Sequence, residues 1–130
     1  MRLSRLILAS GVVLATACGT AGPATAPVAA VLAPNGVQQV TVRVAEGMRF
    51  EPSAIVVKAG QPVRLTLENR TGAEHDFTLD EGVSSPVKIV ARGQQSAVGS
   101  FTIERPGSYE FYCSVPGHAM AGMRGTVTVQ

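Results

Sequence analysis

The sequence predicts an all-β domain, an antiparallel Greek-key β-sandwich, and three observations carry that expectation. Apolar and polar residues alternate with a period of two in several short segments, the mark of strands that bury one face. Turn signals rich in glycine and proline separate those segments at short intervals. No stretch keeps a helical period over a normal helix length, and the many valines and threonines suit pleated structure. At 130 residues the chain is long enough for one ordinary domain and too short for two.

The chain opens on Arg2 and Arg5, followed by a mostly apolar run from Leu6 to Ala17. That run is shorter than the roughly 20 residues that span a bilayer, so residues 1–18 read as an export signal rather than a membrane span. Ala15-Thr16-Ala17 then meets Cys18. A hydrophobic run ending in small residues at a cysteine resembles a bacterial lipoprotein box, with Cys18 as the lipidated first residue. Such boxes usually hold leucine three places before the cysteine, and here Leu14 stands one place earlier. Ordinary cleavage also fits, through Ala15-x-Ala17, but it would leave an unexplained free thiol. The expectation is therefore an exported protein, periplasmic or at the cell surface, held to a membrane by lipid on Cys18. Residues 19–37 are rich in Ala, Pro and Thr and uncharged as far as Gly36. They read as a flexible or semi-extended linker, with the folded domain spanning 38–130.

Within that domain, Val40, Val42 and Val44 alternate with Thr41 and Arg43. Val63, Leu65 and Leu67 alternate with Arg64, Thr66 and Glu68, and Val127 and Val129 with Thr126 and Thr128. Shorter candidates are 54–58, 77–79, 87–91, 101–103 and 109–113. Turns are expected at 59–62, 70–72, 80–82 and 105–107. About eight short strands at this spacing favour a sandwich or barrel over other all-β forms. Without Arg2 and Arg5 the basic and acidic residues balance at nine each. No basic run marks a nucleic-acid surface, and none is expected.

The chemistry concentrates near the C-terminus, where Cys113, His118 and Met123 follow one another as Cys-x4-His-x4-Met. Alternation puts Cys113 on the face of Tyr109 and Phe111, and Pro116-Gly117 supplies a turn that brings His118 back beside it. His75, the one other histidine, shares parity with Phe77 and Leu79 and so points inward. Two imidazoles, a thiolate and a weak axial thioether are the ligands of blue-copper electron-transfer sites. Taken singly, each residue has a plainer use: a buried thiol, a surface histidine, a packing methionine. Together they place every histidine, and the one cysteine outside the leader, in a single copper site. Met120 is a rival axial ligand, but it lies only two residues after His118, so Met123 is preferred. Zinc suits a thioether poorly. A Cys–His nucleophilic pair lacks a group to orient the base, so no enzyme activity is expected.

Three stretches resemble the cupredoxin family: Phe50-Glu51-Pro52 through Val57-Lys58-Ala59-Gly60, then Glu74-His75-Asp76-Phe77, then the Cys-x2-Pro-Gly-His loop. The resemblance covers essentially 38–130. The loop spacing is most similar to rusticyanin-like and sulfocyanin-like members, and differs from plastocyanin, where cysteine and histidine stand closer. It implies His75, Cys113 and His118 as strong ligands of one copper ion and Met123 as the long axial one. Gly117 occupies the place of the second cysteine of a binuclear centre. The flanks of Cys113, Tyr112 and Ser114, lack the histidines that multicopper oxidases use. Many family members have asparagine or serine where Asp76 stands. Asp76 is expected to accept hydrogen bonds from the Ser114 backbone or hydroxyl and to lower the reduction potential. The implied function is transport of single electrons between transient redox protein partners, by a monomer. The rival is a copper carrier that delivers the ion to an extracytoplasmic cuproenzyme, and a third reading is a metal-free interaction domain.

Overall fold

The computed structural model describes residues 26–130. The expected leader 1–18, with Cys18, and the first part of the 19–37 linker lie outside the described residues. Eleven strands follow in chain order: β1 (Val28–Ala29), β2 (Val31–Leu32), β3 (Gln38–Ala45), β4 (Arg49–Glu51), β5 (Ala54–Val57), β6 (Val63–Asn69), β7 (His75–Leu79), β8 (Val87–Ala91), β9 (Ser96–Phe101), β10 (Gly107–Tyr112) and β11 (Arg124–Val129). One sheet runs β1-β5-β11-β10-β7-β8, the other β2-β3-β6-β9 with β4 on β3. The result is an all-β sandwich. No helix among the described residues is long and apolar enough to cross a membrane.

The alternating segments bury the residues their parity assigned. Val40, Val42 and Val44 of β3 and Val63, Leu65 and Leu67 of β6 face the core, where they meet Ile55, Phe77, Phe111 and Val127. Phe111 stands at the centre of an aromatic group, with ring centroids 4.6 Å from Phe77 and 5.1 Å from Phe50. Phe77 and Phe111 stand two residues from His75 and Cys113 in the chain, in the same buried cluster as Cys113.

Three differences from the sequence-based expectation have physical causes. The sheets are mixed rather than antiparallel, because β3 pairs β6, and β5 pairs both β1 and β11, in parallel. Period-two alternation reports burial and carries no strand direction, and the segment between β3 and β6 crosses to the other sheet to form β5 before returning. Second, the chain expected as linker already pairs from Val28: β1 lies on β5 and β2 on β3. These strands are exposed, so backbone pairing holds them and no apolar pattern announces them. Third, β9 occupies Ser96–Phe101, whereas a strand was expected at 101–103. Its Gly99 leaves a gap that the Ile89 side chain fills, 2.5 Å from where a Cβ would stand. The neighbouring strand thus supplies bulk that β9 lacks.

Gly125 plays the matching part at the site end. It pairs with Phe111 across β10 and β11, and the Phe111 ring lies where a side chain at 125 would project. Gly125→Ala should therefore cost about 1–3 kcal/mol through overpacking, read as a lower denaturant midpoint at unchanged m-value. The loss should shrink in a Phe111→Leu background, where the ring is gone.

Candidate metal centre

His75 opens β7 and is buried between the sheets, 2 % exposed. Cys113 lies just past β10, fully buried, and begins the loop that leads to β11. In that loop the His118 N–H donates to the Val115 carbonyl at 3.0 Å, closing a turn around Pro116-Gly117 with Gly117 at φ +84°. Positive φ at the third turn position is the type II requirement that glycine meets without strain. A second turn closes from the Gly122 N–H to the Ala119 carbonyl at 3.1 Å. The Met123 N–H then donates to the His118 carbonyl at 3.0 Å, and its own carbonyl accepts from Cys113 N–H at 3.1 Å. Met123 is thereby tied to both neighbours in the motif.

These constraints bring His75, Cys113 and His118 together, with their donor atoms all within 4.8 Å of one another. Cys113 Sγ lies 3.9 Å from His75 Nδ1 and 3.5 Å from His118 Nδ1. An ion with bonds of about 2.0–2.3 Å to imidazole and thiolate spaces trigonal donors about 3.6 Å apart, which the two sulfur–nitrogen separations match. Of the rival thioethers, Met120 is 91 % exposed and Met123 fully buried. The donor set, two nitrogens and a soft sulfur, with buried Met123 held by its backbone to Cys113 and His118, fits copper.

The electrostatics suit an ion that enters with loss of a proton. Burial pushes the Cys113 thiol above its ordinary value, against backbone hydrogen bonds from Asp76 and Val115 that lower it. Burial, then the charge of His118, hold His75 below its ordinary value, with Asp76 acting the other way. Metal binding must therefore displace the thiol proton while meeting an imidazole that is already disposed to be neutral.

Asp76 makes the hydrogen bonds to Ser114 that were expected of it. Its Oδ1 accepts from the Ser114 N–H at 2.8 Å and the Thr78 hydroxyl at 2.7 Å, and its Oδ2 from the Ser114 hydroxyl at 2.9 Å. Lys88 Nζ stands 3.6 Å from Oδ2. The Asp76 N–H also points at Cys113 Sγ, 3.5 Å away. Sequence reasoning missed Thr71, whose hydroxyl lies 3.1 Å from His75 Nε2, and Asn69, which accepts from that hydroxyl. It also missed Arg124, which donates to the Ala119 carbonyl at 3.1 Å and pairs with Glu110. Asn69 had left a signal: a polar residue on the inward parity of β6. A groove of about 400 Å³, lined by Met48, Thr71 and Ala73 among others, reaches His75 and His118.

Comparison with known proteins agrees with this geometry. The family model for copper binding proteins of the plastocyanin/azurin family matches residues 37–130. The chain belongs to that family. Its cofactor is accordingly a single copper ion. Chloroplastic plastocyanin of Oryza sativa subsp. indica is 36 % identical over 138 residues, covering 99 % of this chain and 84 % of the relative. The copper-resistant cuproprotein CopI of Rubrivivax gelatinosus is 34 % identical over 113 residues, 71 % of this chain and 67 % of that protein. Auracyanin A, a "blue" copper protein from Chloroflexus aurantiacus, superposes with a TM-score of 0.65 at 21 % identity, covering 73 % of this chain and all of its own. That last likeness is one of fold. Family membership agrees with the cupredoxin resemblance of the three sequence stretches.

Proposed function

We propose that this cupredoxin carries single electrons between protein partners outside the cytoplasm, with His75, Cys113 and His118 as strong copper ligands and Met123 as the axial one. The observation that supports this most is the meeting of one sulfur and two imidazoles within 4.8 Å, with His75 and Cys113 buried and His118 half-buried. Copper bound there supplies one-electron exchange between Cu(I) and Cu(II). The protein's part is to keep the ligands still. Cys113 and His118 sit in a loop closed by two turns and by both backbone groups of Met123. His75 is clamped from the strand side by Asp76 and its partners. A site that moves little between oxidation states exchanges electrons with little reorganisation.

Around His118 the surface is small and apolar: Val115, Pro116, Ala119, Met120 and Ala121. Pro116, Met120 and Ala121 are exposed. Such a face suits brief contacts with a redox partner. The export signal and lipid on Cys18 would place the domain at a membrane, and mass spectrometry of the native N-terminus separates lipidation from plain cleavage. The second reading, a copper carrier, is favoured by one observation, the likeness to a protein named for copper resistance.

Copper titration of the apo protein separates the two. Electron transfer predicts an intense blue or green band with reversible electrochemistry, abolished in Cys113→Ser; rapid loss of copper to a mild chelator, without such a band, favours the carrier. Asp76→Asn should raise the reduction potential by some tens of millivolts, about 59 mV being tenfold in a one-electron equilibrium, as voltammetry would register. Ala121→Asp should slow electron transfer to the partner while the copper spectrum stays as it was, and unchanged partner rates would remove the docking face from the account.

A further inference from the structure

Asn69 closes β6 at the site end of the sandwich, 3 % exposed, with each polar atom partnered. Its Nδ2 donates to the carbonyls of Ala73 at 2.6 Å, Ala91 at 2.9 Å and Arg92 at 3.2 Å. Its Oδ1 accepts from the Thr71 N–H at 3.0 Å and the Thr71 hydroxyl at 2.9 Å. Carbonyls only accept and a backbone N–H only donates, so the amide has a single consistent orientation. An amide oxygen carries no proton, and the Thr71 hydroxyl therefore gives its one proton to Asn69. Lone pairs are what Oγ1 has left to offer, and the atom 3.1 Å from it is His75 Nε2. That nitrogen brings the proton to the contact. A neutral imidazole protonated at Nε2 has its lone pair at Nδ1, the atom that faces Cys113 Sγ.

We propose that Thr71, oriented by Asn69, is a positioning residue that locks His75 as the Nε2–H tautomer and so aims its Nδ1 lone pair at copper. The support is stiff. Asn69 N–H donates to the Gln95 carbonyl and Gln94 N–H to the Thr71 carbonyl, both at 2.9 Å, so the loop after β6 is bolted to the loop before β9. Gly93 packs directly on the Gly72 carbonyl. A ring flip would set carbon against Thr71 Oγ1 and forfeit the hydrogen bond. Metal-bound histidines are ordinarily held through the second ring nitrogen in this manner; here the acceptor is a side chain whose own proton is committed elsewhere.

The inference rests on His75 being a copper ligand, and the tests keep the two apart. Proton–nitrogen correlation NMR of the apo protein, at a pH where His75 is neutral, should show the Nε2–H form. Thr71→Val keeps the branched shape and cannot accept. It should lose that preference and weaken copper binding about tenfold or more in a competition titration, whereas Thr71→Ser should restore both. A wild-type His75 protonated at Nδ1 overturns the proposal, and this reading needs no variant to fold. So does a T71V protein with the wild-type tautomer and affinity. If Cu(I) loading of the wild type leaves the His75 resonances in place, the ligand assignment itself fails, whatever the tautomer.

Discussion

Ser114 sets its N–H and its hydroxyl on the two oxygens of the Asp76 carboxylate, and the site depends on that pair of hydrogen bonds. The strand that carries His75 and the strand that leads to Cys113 share a ladder of one residue pair, Thr78 with Tyr112. Backbone pairing alone therefore holds them loosely at the metal end. The carboxylate extends the connection by one more rung, made of side chain. A carboxylate 2 % exposed would be costly without partners, and here Thr78, Ser114 and Lys88 supply them. The cost of burying the group becomes the reason the two ligand segments stay in register.

Besides that clamp there are the aromatic group of Phe50, Phe77 and Phe111 and the doubly turned loop. Phe77 and Phe111, each two residues from His75 or Cys113, pack on one another in the core, and Gly125 yields the space that Phe111 needs. The loop fixes the distance from Cys113 to His118, because Met123 bonds the backbone of both. Sulfur and nitrogen are thus placed by backbone geometry on one side and by a buried carboxylate on the other.

Two buried amides mark the two ends of the sandwich. Gln38 begins β3 and takes the Lys58 N–H at 2.7 Å while donating to the Lys58 and Gln61 carbonyls. Asn69 ends β6 and gathers three carbonyls and Thr71. Both stand on the inward parity of strands that are otherwise apolar there. At the far end the amide fastens a turn. At the near end the same chemistry also reaches the His75 ring through Thr71, so a structural device is turned toward the metal.

The amino-acid sequence by itself determined the all-β class, the inward faces of β3, β6 and β11, and the convergence of His75, Cys113 and His118. Alternation and ligand spacing are local, and they survive without knowledge of what packs on what. The Asp76–Ser114 bond was legible too, through family resemblance. Strand direction, the edge strands β1 and β2, and the glycine-bearing β9 were not, because backbone pairing and a neighbour's side chain make them, not their own pattern. Only the tertiary structure decided that Met123 is buried and Met120 exposed, and that Asn69 and Thr71 stand behind His75. Those facts arise where segments distant in sequence meet, and hydrogen bonds between such segments leave little trace in either one alone.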